Sequence, residues 1–423
     1  MKDSVRPKKG ASVWMPARVI TTSFALVIAV GALLLMLPVC SADGRPTGFL
    51  DALFTATSAT CVTGLVVADT ATQWSLAGQA VLLALIQIGG LGLVTFATFF
   101  NVLMGRKLGL RSMQLARESI STSGVEDIAA LVRMVVTVSL LLELAGAVLL
   151  CVALVPLYGA RGIWFSVFLS VSAFCNAGFD PLGFETPFIS LTGFAQSPYV
   201  LTVIMLLIVV GGLGFVVWAD LYESRGGRKK HNLHTRVVLL TTLALIAGGT
   251  LGIAVLEWNN PATLGAMSAW QKGANALFSS VTCRTAGFNS IDFAAMDGLT
   301  KLLCCGLMFI GAAPGSTGGG IKVTTITVVL MTVVCVVRGR DETVILGRQV
   351  RREAVYKTLA VLVIGLLAVG LAAGILYESL AGTGQAVSGL DAAFEAISAF
   401  ATVGLSVGVT GAANLPALLT LIV

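Results

Sequence analysis

The chain has 423 residues, 56% of them hydrophobic and only 11% charged, with a mean hydropathy of +0.93. A soluble domain carries roughly 25% charged residues, so composition alone excludes a water-soluble enzyme, a disordered chain and a nucleic-acid-binding domain. The net charge of +6 does not argue for nucleic acid, because the basic residues sit in short clusters between long apolar runs, as in an integral membrane protein.

A helix that crosses a bilayer needs about 20 mostly apolar residues. Runs of that kind occur at 16–39, 76–104, 128–156, 197–222, 235–256, 300–337 and 356–379. The first follows Lys8, Lys9 and Arg18 as a signal peptide would, but its apolar part from Ile20 to Val39 is too long and no small-residue cleavage site follows, so it is expected to be retained. Basic residues cluster at Lys2, Arg6, Lys8, Lys9 and Arg18, then at Arg106, Lys107, Arg111 and Arg117. Two further clusters stand at Arg225, Arg228, Lys229, Lys230 and Arg236, and at Arg338, Arg340, Arg348, Arg351, Arg352 and Lys357. If the spans pair as out-and-back hairpins, all four clusters lie on one side. The positive-inside rule makes that side cytoplasmic, with the N-terminus. The 8 cysteines fall mostly inside apolar runs with no Cys-x-x-Cys spacing, and read as small buried apolar residues.

Each intervening external connection carries an apolar stretch too short to span: LDALFTATSATCVTGL (50–65), WFSVFLSVSAFCNAGF (164–179), ANALFSSVTCRTAGF (274–288) and LDAAFEAISAFATVGL (390–405). Aligned on Gly64, Gly178, Gly287 and Gly404, they place Phe54, Phe168, Leu277 and Phe394 ten residues earlier, and Ser58, Ser172, Val281 and Ser398 six earlier. The glycine intervals are 114, 109 and 117 residues, a period that marks duplicated units. Each unit reads helix, short half-helix, glycine loop, helix.

A segment that enters the membrane and leaves on the same side carries non-helical backbone at depth, tolerated only where it is buried in protein or lines a watery cavity. Four such segments around one axis bring four helix C-termini, each with partial negative charge, and four sets of free carbonyls to one point. No carboxylate stands in the loops beside the glycines; Asp69 and Asp180 lie just outside them. Selectivity would then rest on main-chain oxygens, which suits a large monovalent cation better than a divalent one.

With TSATCVTGL, SAFCNAGF, RTAGFNS and ATVGLS in a fourfold helix–pore-helix–helix repeat, the chain resembles the Trk/Ktr/HKT potassium-uptake superfamily over essentially its whole length, closest to the KtrB-type membrane subunit. The resemblance implies an all-α membrane protein of four parallel repeats around one pseudo-fourfold cation pore. Their ranges would be 14–108, 126–226, 232–340 and 352–423. It implies no cofactor in this chain, potassium as the ion in the pore, sodium as a candidate activator, a homodimer in the cell membrane, and a cytosolic nucleotide-binding regulatory ring. Carried over residue by residue, the filter is Val62, Thr63 and Gly64; Asn176, Ala177 and Gly178; Thr285, Ala286 and Gly287; Thr402, Val403 and Gly404. A serine at the first filter position accompanies sodium transport in the superfamily, so Gly64 favours potassium.

The segment GAAPGSTGGGIK (311–322) interrupts the longest apolar run and cannot be an unbroken helix. It fails as a phosphate-binding loop, because Lys322 comes one place late and apolar helix rather than strand flanks it. In the resembling family this position is a flexible intramembrane gate, here Ala313, Pro314, Gly315, Ser316, Thr317, Gly318, Gly319 and Gly320 with Lys322 as an intramembrane cation. A simple kink is the alternative. Arg284, in the third repeat, is expected to brace the filter from behind through carbonyls or a carboxylate, with a role in selectivity as the alternative, and Glu143 to pair with Arg133. His231 and His234 have metal-pair spacing but stand in a basic loop, where solvation or docking of the regulator is the better reading. The same two readings, topology determinant or docking face, hold for loops 105–117, 225–236 and 338–357. Asp51 and Asp391 open their half-helices as caps. Only 19 residues follow Gly404, against 40 from Gly64 to Met104, so the last helix is expected to be cut short within the membrane, with 414–423 helical, unless a dimer partner fills the gap. A secondary transporter with broken helices binding substrate at midplane is the rival function. An intramembrane enzyme would need a polar catalytic constellation that no span supplies.

Overall fold

In hydrocarbon only a helix satisfies every backbone N–H and C=O within its own segment, and the apolar runs are helical accordingly. The computed structural model describes residues 14–92, 95, 128–184, 186–224, 231–340, 342–382, 387–412, 417, 420 and 421. Among the described residues four helices are long and apolar enough to cross a membrane: α1 (Trp14–Leu35), α4 (Ile128–Tyr158), α8 (Leu233–Glu257) and α12 (Arg352–Ala381). Each is followed by a helix of 12 to 14 residues, too short to cross: α2 (Phe49–Thr60), α5 (Arg161–Phe174), α9 (Ala269–Thr282) and α13 (Gly389–Phe400).

The helices that follow these are broken or only partly described. Within the expected span 76–104, helix α3 runs Leu76–Leu91; the basic residues from Arg106 to Arg117, those from Arg225 to Lys230, and Lys2 to Lys9 lie outside the described residues, as do the repeat boundaries at 108, 126 and 226. The span read as continuous at 197–222 is not. Helix α6 (Pro198–Gly212) and helix α7 (Phe215–Glu223) meet at 90°, because Gly214 adopts φ +92°, a left-handed conformation in which the helix cannot continue. In the run 300–337, α10 (Gly298–Phe309) and α11 (Val323–Val337) are separated by non-helical backbone closed by a parallel bridge between Ile310 and Ile321. A hairpin of β1 (Val344–Ile345) and β2 (Arg348–Gln349) joins α11 to α12.

Packing follows a rotation: α3 lies between α2 and α5, α6 between α5 and α9, and α10 against α13. Between α13 and α2, where the rotation would close, lies a cavity of about 650 Å³ lined by Cys61, Thr63, Leu371, Phe400 and Thr402 among others. Of residues 413–423, Ala417, Thr420 and Leu421 are described and helical; Ala417 and Leu421 pack with Leu376, Ala392 and Ala396 beside this cavity. All eight cysteines are free; six are buried, Cys151 is half-buried and Cys61 is exposed.

Candidate functional site

The four short helices end in one repeated backbone figure. Cys61, Cys175, Cys283 and Ala401 follow their last turns. Left-handed residues follow, directly for Val62 (φ 58°), Asn176 (58°) and Thr402 (51°) and after Arg284 for Thr285 (79°), and two residues later come Gly64, Gly178, Gly287 and Gly404 at φ 71° to 88°. Burial of the four phenylalanines Phe54, Phe168, Phe278 and Phe394 under the helices fixes their rotation. Phe278, not Leu277, is the third of this set, so the third repeat is one residue shorter between phenylalanine and glycine. Its hydroxyl shifts likewise: Ser58, Ser172 and Thr282, not Val281, donate to the carbonyls of Leu65, Phe179 and Phe288 at 2.7 to 2.8 Å. Aligning on the glycines alone displaced both by one. Ser398 is the exception: its hydroxyl has no hydrogen-bond partner among the described residues.

The loops close into a ring. A Cβ placed on Gly64, Gly178, Gly287 or Gly404 would stand 2.8 to 3.3 Å from the Cα of the next glycine in the order 64, 178, 287, 404 and back to 64. It would also overlap the carbonyl oxygen preceding that next glycine, those of Ala177, Ala286, Val403 and Thr63 in turn. The left-handed φ alone does not demand glycine, since four side-chain-bearing residues adopt it in the same loops at a cost of about 1 kcal/mol each. The close approach of backbone to backbone does. The sequence-derived trios are thus brought together in one closed cycle of backbone contacts, each glycine against the carbonyl oxygen that precedes the next.

Residues 311–322 lie directly below. The hydroxyls of Thr285 and Thr402 abut Gly318 and Gly319 so closely that a Cβ there would clash. Thr317 Oγ1 donates to Phe174 O at 3.1 Å, the last carbonyl of α5, and lies 3.3 Å from the side-chain oxygen of Asn176 when that amide is oriented to donate to Ala173 O and Ile208 O. Ser316 Oγ donates to Ala313 O at 2.6 Å. Lys322 Nζ donates to Gly318 O at 2.7 Å and Gly319 O at 3.4 Å, so the ammonium binds the loop's own carbonyls.

The supporting residues differ from several expectations. Glu143 does not meet Arg133, which is exposed; both its oxygens accept from Gln87 Nε2 at 3.0 and 3.1 Å, and Cys175 Sγ lies 3.9 Å away, directly behind Asn176. Among the described residues Arg284 reaches neither carboxylate nor carbonyl but the Thr242 hydroxyl on α8 at 3.5 Å. His231 lies 3.6 Å from Asp220, and among the described residues no group of three or more His, Cys, Asp or Glu is placed to hold a metal. Asp51 sits in a first turn capped by Gly48. Asp391 sits behind the cap Ser388, whose hydroxyl accepts from the Asp391 N–H, and its carboxylate meets Lys301 at 2.8 Å.

Two features escaped the sequence reading. Buried Glu395 on α13 accepts from Ser406 Oγ (2.7 Å), Val407 N–H (3.3 Å), Thr410 N–H (2.8 Å) and the Thr410 hydroxyl, clamping the chain beyond Gly404. A charged residue amid an apolar half-helix was its signal. The motif Gly-Gly-Leu-Gly occurs twice, at 89–92 and 211–214. Its first glycine lets α3 and α6 approach Thr60 O and Phe174 O, the last carbonyls of α2 and α5, and its fourth takes φ 80° and 92°.

Long apolar helices with four short ones converging on a ring of glycine loops define a polytopic helical membrane protein with backbone oxygens gathered inside it. Residues 13–423 match the family model TrkH, cation transport protein, and the chain belongs to that family, one of transporters rather than enzymes. It is 42% identical over 396 residues to the Ktr system potassium uptake protein B of Bacillus subtilis (93% of this chain, 86% of that one). It is 38% identical over 397 residues to the potassium/sodium uptake protein NtpJ of Enterococcus hirae (93% and 86%). Its fold is shared with the potassium transporter TrkH from Vibrio parahaemolyticus, at TM-score 0.75 and 20% identity over 99% of this chain and 83% of that one.

Proposed function

We propose that this chain is the ion-conducting membrane subunit of a gated potassium uptake system. The cyclic contact of Gly64, Gly178, Gly287 and Gly404, with the carbonyls of Thr63, Ala177, Ala286 and Val403 turned toward it, carries the reading. Carbonyl dipoles in that arrangement substitute for the hydration shell of a monovalent cation without any side-chain charge. The repeats are 14–108, 126–226, 232–340 and 352–423, set in parallel around one pore, with Val62, Asn176, Thr285 and Thr402 opening the filter. Residues Ala313–Gly320 and Lys322 form the gate, supported by their position under Asn176, Thr285 and Thr402. The similarity to Ktr system B proteins supports a homodimer in the cell membrane, the N-terminus cytoplasmic, working with a cytosolic nucleotide-binding ring.

The test is uptake of rubidium or potassium into liposomes holding the purified protein. Uptake down a potassium gradient, absent from protein-free vesicles and larger than sodium uptake, is expected. Sodium uptake equal to potassium uptake would overturn the selectivity, and no cation uptake with or without the regulatory ring would overturn the function.

A further inference from the structure

A 90° break leaves backbone groups of α6 and α7 unpaired within the membrane, where each is costly unless another segment meets it. The segment that meets them is the gate loop. Ala313 N–H donates to Gly212 O at 3.1 Å and Thr317 N–H to Gly211 O at 3.3 Å, while Phe215 N–H donates back to Gly315 O at 2.8 Å. Pro314 O lies 2.8 Å from where a Cβ on Gly214 would stand. Among the described residues the loop bonds this second Gly-Gly-Leu-Gly motif and not the first.

We propose that Gly211, Gly212 and Gly214 are positioning residues for the gate: the break in repeat two is the seat that holds the loop beneath the filter, and conduction requires loop and seat to part. This rests on the gating role proposed above. The seat explains the glycine at 214, where a Cβ would stand 2.8 Å from Pro314 O, and bears on Gly211, whose Cβ would stand 3.0 Å from Thr317 Oγ1 as well as against Phe174 O; Gly212 contributes its carbonyl and has ordinary room for a side chain. It also supplies a lever. Helix α7 runs nine residues from the seat to a junction where buried Asp220 accepts from Asn232 N–H at 3.2 Å and Asn232 Nδ2 at 2.7 Å, joining α7 to the start of α8. A partner that moves this junction moves the seat.

A Cβ on Gly212 would lie 3.8 Å from Ala312 Cβ, the usual separation across a disulfide, about 3.8 Å. The variant Gly212→Cys with Ala312→Cys therefore staples loop to seat: diamide takes two electrons and two protons from the two thiols and becomes the hydrazine as the S–S bond forms. In proteoliposomes with the full chain, oxidation is expected to abolish rubidium flux and dithiothreitol to restore it, while diamide leaves the flux of wild type and of each single-cysteine variant at that protein's own starting level. Failure of the pair to cross-link, or full flux with the cross-link verified by mass spectrometry, would overturn the seat. As a second measurement, Gly214→Ala, which pushes a methyl toward Pro314 O, is expected to raise flux above wild type; unchanged flux in a folded protein counts against the seat. A wild type that conducts no rubidium sinks the proposed function instead, whereas a conducting wild type with an insensitive staple sinks the seat alone.

Discussion

At the scale of single residues, Gly64 is held by contact rather than by conformation. Gly64→Ser drives a side chain into Ala177 O and tilts one carbonyl of the ring, so the potassium-to-sodium permeability ratio is expected to fall. A ratio equal to wild type in bi-ionic flux assays would show that these carbonyls do not select. Beyond the ring, Asp180 is half-buried two residues past Gly178, and burial followed by repulsion from Asp69 pushes its carboxyl up to about 7, against the pull of the Leu182 N–H. Because the value is raised, the group is neutral below that pH and charged above it. Flux is expected to rise as the outer pH goes from about 6 to about 8, most steeply at low ionic strength, where an added negative charge concentrates cations best. Asp180→Asn removes the pH step if the assignment holds, and a step that persists in that variant refutes it.

Among elements, the loop between α10 and α11 is held by bonds from three neighbours: its own Lys322, the last carbonyl of α5, and the α6–α7 break. Deleting several residues of Ala313–Gly319 is expected to raise conductance, since the backbone below the ring is then removed. Single-channel or flux records showing unchanged or lost conduction in a correctly folded deletion would favour a mere kink. That this run is broken was legible in its glycines and proline. That the run at 197–222 is also broken was not read, because its three glycines sit in a stretch otherwise apolar enough to pass for one span. The third short helix shows the same limit. Its phenylalanine and hydroxyl stand one residue closer to the glycine than in the other repeats, and only burial of Phe278 reveals the slip.

For the molecule as a whole, a few polar ties join helices distant in the sequence. Lys301 at the start of α10 and Asp391 at the start of α13 form one, 12% and 25% exposed. Burial raises the Asp391 carboxyl, but hydrogen bonds from Lys301 and Ser388 outweigh it and leave it below its ordinary 3.8. The folded-state value being depressed, the pair stabilises the fold at neutral pH and loses its effect as pH falls through that value. Lys301→Met is expected to cost about 1 kcal/mol near neutrality and less at a pH well below 3.8, where the folded protein takes up the Asp391 proton. Thermal unfolding of both proteins in detergent at the two pH values measures this; an equal gap at both would mean that the lysine acts by packing.

Composition, the spacing of apolar runs and the four-glycine period determined the class of protein, the long and short helices and the residues of the ring, because burial in hydrocarbon leaves few alternatives for such segments. Partners of the buried polar groups were decided elsewhere. Glu143 lay ten residues from Arg133 yet meets Gln87, Arg284 meets Thr242, and Glu395 holds the segment beyond Gly404. The partners stand 56, 42 and 15 residues apart, and each choice depends on which helix and loop faces meet in the folded chain, which no local pattern encodes.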